Sequence, residues 1–359
     1  MMRQWTRFIG RAAALGLASL TIVLLLAPTP RSEAAESVWE PTGLTEQTME
    51  LLAPASGAFF ARTLTDTLRS DDGGASWRSL PLPPAYADNP NWRRGFTLDP
   101  ADHTRMFVGP WVTHDDGVTW SHLGSWPIES SEGSRLALSP ADPNLLYVAF
   151  THGGMGTGSV RFLRSRDGGE SWEKLLTLGP SDFRPTSVID LTLFQAHYSD
   201  PNVMFQSVVG ITARDNQGVL RRSADQGTTL QEVLFKPGRI PRRLVGGRGI
   251  MPGRFYCSLS SSDASRELHR SDDDGITWTR IAEIDADQQW INGLDYDPMQ
   301  PDHVYIAVND VGVRRSEDSG QTWTDLGLTD QSVSDLALGV DGKNLFAATA
   351  HGIYRLPGP

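Results

Sequence analysis

Ser271-Asp272-Asp273-Asp274-Gly275-Ile276-Thr277-Trp278 is one copy of an octet, Ser/Thr-x-Asp-x-Gly-x-Ser/Thr-Trp, that recurs along this 359-residue chain. The other copies are Ser70-Asp72-Gly74-Ser76-Trp77, Thr113-Asp115-Gly117-Thr119-Trp120, Ser165-Asp167-Gly169-Ser171-Trp172, Ser223-Asp225-Gly227-Thr229-Leu230 and Ser316-Asp318-Gly320-Thr322-Trp323. Their period of about 45 to 55 residues is the signature of a repeat architecture. Working backwards from each octet, two further apolar segments appear, the middle one carrying an aromatic: Phe59 or Phe60, Phe107, Tyr147, Phe205, Tyr256, Tyr305 and Phe346. The earlier segments end in acidic or Pro-rich turns such as Leu98-Asp99-Pro100 and Tyr296-Asp297-Pro298, so the pieces read as short strands joined by turns.

Four antiparallel strands per unit at this period predict an all-β, seven-bladed β-propeller. The octet joins the third strand to a fourth that begins at the Trp. The last unit supplies Val333 to Leu338, Leu345 to Thr349 and Gly352 to Leu356, then stops three strands into a blade. Its missing strand is found at the other end, where Trp39-Glu40-Pro41-Thr42-Gly43-Leu44 resembles Trp323-Thr324-Asp325-Leu326-Gly327-Leu328. Pairing of the termini in one blade closes the ring and removes exposed strand edges.

The octet has a local role in this reading. A short turn leaves backbone N–H groups without ladder partners, and an Asp carboxylate accepts hydrogen bonds from its own turn. Gly permits positive φ, and the Trp buries apolar area against the blade. Asp72, Asp115, Asp167, Asp225, Asp273 and Asp318 are therefore expected to be structural. The Ser271 to Gly275 stretch looks superficially like the start of a calcium loop, but no spaced ligands or closing Glu follow, so no metal and no cofactor is expected.

Composition narrows the class. Arg3, Arg7 and Arg11 precede an apolar run from Ala12 to Ala27 and small residues at Ser32 and Ala34, the pattern of a signal peptide over 1–34. An uncleaved anchor is the alternative. The expected mature domain, 35–359, holds no further segment apolar enough to span a bilayer. The leader carries a net of three positive charges, so its loss takes the chain from −11 to about −14. Such an acidic chain argues against nucleic acid as the partner. The single cysteine, Cys257, lies in an apolar run and reads as core rather than as a reactive thiol.

The repeats resemble the BNR/Asp-box propellers, a superfamily of exo-sialidases, xyloglucan-type glycoside hydrolases, sortilin-like receptors and exported propellers of the photosystem II assembly-factor type. The resemblance covers nearly all of the mature chain. It implies that the octets lie on a rim away from the ligand, and that function sits on the opposite face. That face is formed by links from the fourth strand to the next blade and by second-to-third strand turns. Sialidases of this kind use three Arg, a Tyr backed by Glu, and an Asp, with an early Arg-Ile-Pro; here Arg239-Ile240-Pro241 follows the fourth octet and is set aside as coincidence.

Two sets of residues remain as candidates. The acids Asp190, Asp295 and Asp335 fall near innermost strands, with Glu129, Glu132, Asp263 and Asp310 on face loops, where a two-carboxylate hydrolase would place its pair. Arginine beside tryptophan marks the predicted functional face: Trp92-Arg93-Arg94, Trp126, Arg184, Arg242-Arg243, Gln289-Trp290, Arg214 and Arg266. On an acidic chain these guanidiniums suit a carboxylate, a phosphate or an acidic protein segment. The favoured expectation is an exported, non-enzymatic scaffold binding a protein or acidic ligand there. The alternative is a glycoside hydrolase whose tryptophans stack on carbohydrate.

Overall fold

The computed structural model describes residues 38–359 except 53–56, 64, 84–95, 127–133, 153–157, 180–181, 183–187, 212–215, 262–264, 286–289, 310 and 340, and the side chains of 152, 188–190, 211, 216–217, 265 and 285. The expected leader therefore lies outside the described residues. Seven four-stranded antiparallel sheets form a β-propeller, with no helix of membrane-spanning length among the described residues. The innermost strands of blades 1 to 7 are Thr48–Leu52, Phe96–Leu98, Arg135–Ser139, Val188–Ala196, Arg239–Gly246, Ile291–Tyr296 and Val333–Leu338. Blade 7 takes its outermost strand from the start of the chain. Glu40 pairs with Arg355 and Pro41 with Tyr354, as the resemblance of Trp39 to Trp323 predicts.

Each seam between blades has its own apolar cluster, and the octet tryptophans sit in them. Trp77, Trp120, Trp172, Trp278 and Trp323 pack at successive seams, and Trp39 plays the same part where blade 6 meets blade 7. The seam between blades 3 and 4 is the exception, because the fourth octet carries Leu230; Leu175, Leu176 and Phe194 line that seam instead. The middle-strand aromatics Phe60, Phe107, Tyr147, Phe205, Tyr256, Tyr305 and Phe346 are all fully buried, and so is Cys257, whose thiol burial pushes up. That environment leaves no thiolate for chemistry.

The octets close their turns as the residue types dictate. In the Asp273 copy one carboxylate oxygen accepts Thr277 N–H at 2.8 Å and the other accepts the Thr277 hydroxyl at 2.5 Å, while the Ser271 hydroxyl accepts Gly275 N–H at 2.9 Å. The same pattern holds at the other five. Arginines preceding several octets add stitching between blades. Arg69 of blade 1 pairs with Asp116 of blade 2, Arg164 reaches Gln226 O at 2.5 Å, and Arg222 reaches Asp274 O at 2.7 Å.

Two details differ from the sequence reading. The fourth strands start one residue after the Trp position, at Arg78, Ser121, Glu173, Gln231, Thr279 and Thr324. Arg242 and Arg243, expected on the face formed by the links and turns, lie in a strand: the fifth blade's inner strand begins at Arg239 and absorbs Pro241 beside a bulge at Arg242.

Candidate ligand face and axial cavity

Because each inner strand is followed by an antiparallel partner, the octet turns and the first-to-second strand turns share one face. The blade-to-blade links and second-to-third turns share the other. An axial cavity of 570 Å³ is lined by all seven blades and runs from Glu50, Arg243 and Asp335 within the inner strands to Pro100, Pro140, Tyr198 and Met299 in the turns of the octet face.

Asp295 and Asp335 both line this cavity. Asp335 accepts Leu51 N–H of blade 1 at 3.1 Å and Leu336 N–H at 3.0 Å, and meets Arg243 of blade 5 at 3.3 Å. Asp295 accepts Leu338 N–H of blade 7 at 2.8 Å and Tyr296 N–H at 2.9 Å, and pairs with Arg248. Each carboxylate thus staples its blade to the next while holding an arginine from another. Burial pushes the Asp335 carboxyl up to about 6 from 3.8, against the opposing pull of Arg243 and with the added push of Glu50. At Arg248 burial works against the charge, but Asp295 and Tyr296 more than offset it and hold the guanidinium above its ordinary range. Asp190 lies on the inner strand of blade 4 opposite Val209; its side chain is outside the described residues.

On the opposite face, three of the expected residues meet. The Arg242 guanidinium lies 4.7 Å from the Trp290 ring centroid and that of Arg266 lies 4.9 Å from it. Both are within cation–π range. Trp290 is 40% exposed and Arg242 is also exposed, whereas Arg266, expected on a turn, is a buried strand residue donating to Ser261 O at 3.0 Å. Arg242 donates to the Ser260 hydroxyl at 3.1 Å. Its neighbour Arg243 turns into the channel. Trp126 is half-buried and makes a T-shaped contact with Trp172, ring centroids 5.6 Å apart. Trp92, Arg93, Arg94, Arg184 and Arg214, like Glu129, Glu132, Asp263 and Asp310, fall outside the described residues.

Sequence reasoning missed Glu50, Gln195, Tyr198 and Arg248 as cavity residues. A signal existed for some: inner-strand polar residues stand out among apolar neighbours, as Glu50 does beside Leu51 and Leu52. Among the described residues, no group of three or more His, Cys, Asp or Glu is placed to hold a metal ion.

No protein-family model matches this sequence. A xyloglucanase from Hypocrea jecorina (strain QM6a) is 24% identical over 323 aligned residues, spanning 75% of this chain and 37% of that protein. A GH74 enzyme from Niastella koreensis superposes with a TM-score of 0.62 at 15% identity, over 88% of this chain and 53% of its own. YCF48 from Cyanidioschyzon merolae superposes with a TM-score of 0.58 at 14% identity, over 89% of this chain and 98% of its own. YCF48 bound to a D1 peptide gives 0.51 at 14% identity, over 89% and 97%. The chain therefore spans little more than a third of the xyloglucanase and about half of the GH74 enzyme, but the whole domain of YCF48. At these identities the likeness establishes the propeller fold.

Proposed function

We propose that the chain is an exported, non-enzymatic propeller that recognises a protein or acidic ligand through the face opposite the octets. The observation that carries this reading is the exposed indole of Trp290 flanked by Arg242 and Arg266. An aromatic with guanidiniums beside it suits an acidic segment that has some apolar surface. The unassigned residues Trp92, Arg93, Arg94 and Arg184 belong to the same proposal by their place in the blade-to-blade links. The likeness to YCF48 in the form bound to a D1 peptide supports peptide recognition on such a scaffold. The test uses fluorescently labelled acidic, neutral and basic peptides of equal length. Selective binding of the acidic one, lost in Arg242→Ala and Trp290→Ala, is expected; binding indifferent to both substitutions would defeat the reading.

A second reading has one specific observation behind it. Asp295 and Asp335 share a cavity, the second with a raised pKa as a general acid requires, and the chain is similar to a xyloglucanase. It is the weaker reading because both carboxylates already accept backbone N–H groups that hold neighbouring blades together. Release of reducing sugar from xyloglucan or of sialic acid from a sialoside, abolished by Asp335→Asn or Asp295→Asn, would establish it instead.

A further inference from the structure

The turns that join first to second strands on the octet face share one construction and differ in what they display. In blades 2, 4, 5 and 6 the same hydrogen bond closes them: Arg105 N–H to Asp102 O at 3.0 Å, Val203 N–H to Asp200 O at 3.2 Å, Arg254 N–H to Met251 O at 2.9 Å and His303 N–H to Gln300 O at 2.8 Å. The accepting position is therefore Asp in blades 2 and 4, with Asp142 its counterpart in blade 3, but Met251 in blade 5. The position before it is Ala101, Ala141 and Ser199 in blades 2 to 4, then Ile250 and Met299 in blades 5 and 6. A turn that closes with Ala or Ser has no need of a large side chain, yet Ile250, Met251 and Met299 are 59%, 39% and 58% exposed. Ile250 N–H bonds to Pro298 O at 3.0 Å, which joins the two turns across the seam and makes their apolar residues neighbours. Large apolar side chains held together in water mark an interaction surface.

The other side of the same ring of turns is acidic. Asp102, Asp142 and Asp200 each accept the N–H of the residue two places on through Oδ1, at 3.0, 3.0 and 2.8 Å. Among the described residues their Oδ2 atoms accept no hydrogen bond, and no Lys or Arg comes within ion-pair distance of any of the three. Pro100, Pro140, Tyr198 and Met299, from these turns, line the outer end of the axial cavity, so the acidic and apolar sides border one opening. We propose that this opening docks a cationic amphipathic segment of another protein, with its apolar stripe on Ile250, Met251 and Met299 and its Lys or Arg side chains toward Asp102, Asp142 and Asp200. Apolar contact supplies the buried area, and the carboxylates without counter-ions fix charge and orientation. A second copy of this chain would set the three carboxylates against their own kind, and an anionic bilayer would meet the same repulsion. The inference is independent of the Trp290 reading, since that face lies at the other end of the molecule and selects the opposite charge.

The probe is a labelled helical peptide of about four turns with leucines along one side and lysines along the other. Fluorescence anisotropy with the full chain at neutral pH should show binding, and none for the same peptide with Ser in place of Leu; a lysine peptide without an apolar side is not held. Ile250→Ser combined with Met299→Ala, which installs the small side chains of blades 2 to 4, should weaken binding about tenfold. Asp102→Asn, Asp142→Asn and Asp200→Asn together keep the Oδ1 acceptors of the turns and should also weaken it about tenfold. The same change of charge on the outer strands, Glu232→Gln, Glu283→Gln and Asp325→Asn, should leave binding unchanged, and so should Trp290→Ala. Equal loss from the outer-strand set would reduce the effect to net charge and overturn the docking site, as would no binding of the leucine–lysine peptide to folded protein. Retention on phosphatidylcholine vesicles, or sedimentation as a dimer, either one abolished by the Ile250 and Met299 substitutions, would give the patch to lipid or to a second copy and overturn it too.

Discussion

Aspartates occupy two radii of this propeller and behave in opposite ways. At the rim, Asp72, Asp167 and Asp318 are held down to about 2 from 3.8, first by the hydroxyl of the Ser or Thr four residues on and then by its backbone N–H. At the axis, Asp335 also accepts two backbone N–H groups and faces an arginine, yet it is pushed up to about 6. Hydrogen-bond count does not separate them. Water does: the rim carboxylates keep their hydration and add turn hydrogen bonds to it, whereas the axial one has exchanged hydration for its partners. The rim acids fold a turn; the axial acid joins blades 7, 1 and 5.

The sharpest way to break that contrast is to delete the axial carboxylate. Asp335→Ala leaves Leu51 N–H without its acceptor at the seam that closes the ring, and strips Arg243 of its counter-charge. Leaving the buried Leu51 and Leu336 N–H groups unsatisfied costs about 1 to 3 kcal/mol each, to be read as a lowered urea midpoint. Asp335→Asn keeps an acceptor for Leu51 and removes a charge that the site ionises reluctantly, so it should recover most of that loss at neutral pH. An alanine variant as stable as the parent would mean that Asp335 is no staple.

The next effect is in the pH profile. The folded pKa of Asp335 lies above its unfolded value, so between about pH 4 and 6 the folded state holds a proton that the unfolded chain has released. Stability from this group is present below that window and declines as pH rises through it, by about 3 kcal/mol in total. The rim runs the other way: with folded values near 2, Asp72, Asp167 and Asp318 support the fold above about pH 4 and lose that support as pH falls toward 2. Urea midpoints measured across this range should therefore rise on mild acidification and fall on strong acidification. Asp335→Asn should flatten only the upper limb. A parent protein with no upper limb would contradict the burial argument.

The rim was legible in the sequence and the axis only in part, for a physical reason. Each octet contains both halves of its own hydrogen bonds within five residues, so the pattern, the turn and the blade count could be read locally. Even the arginine before the octet is visible as a repeat, in Arg69-Ser70, Arg164-Ser165 and Arg222-Ser223, although its reach to the following blade is not. At the axis, the partners of Asp335 are Leu51 and Arg243, far away in sequence and in two other blades. Nor could the adjacent Arg242 and Arg243 be told apart. The register shift between Pro241 and Arg243 sends one to the Trp290 face and the other into the channel. A single inserted residue reverses which way the following side chains point, and a sequence does not announce its bulges.

The smallest expected effects grade the rim against itself. Asp273→Ala and Asp72→Ala remove the same turn hydrogen bonds, but the octets they hold do different work at the seams. Beside Asp273, Asp274 sits at a φ of 67° with its carboxylate 2.8 Å from His197 Nε2 and paired with Arg222, tying blade 5 to blade 4. Beside Asp72, Gly73 offers only its carbonyl to Arg355, at 3.4 Å. Loosening the first turn should therefore release a seam as well as a loop. Asp273→Ala should lower the melting temperature by about 2 to 4 °C and Asp72→Ala by about 1 °C. Equal shifts would show that octet aspartates act on their own turns alone; the expected ranking requires the rim to couple neighbouring blades, as the axis does with buried charge.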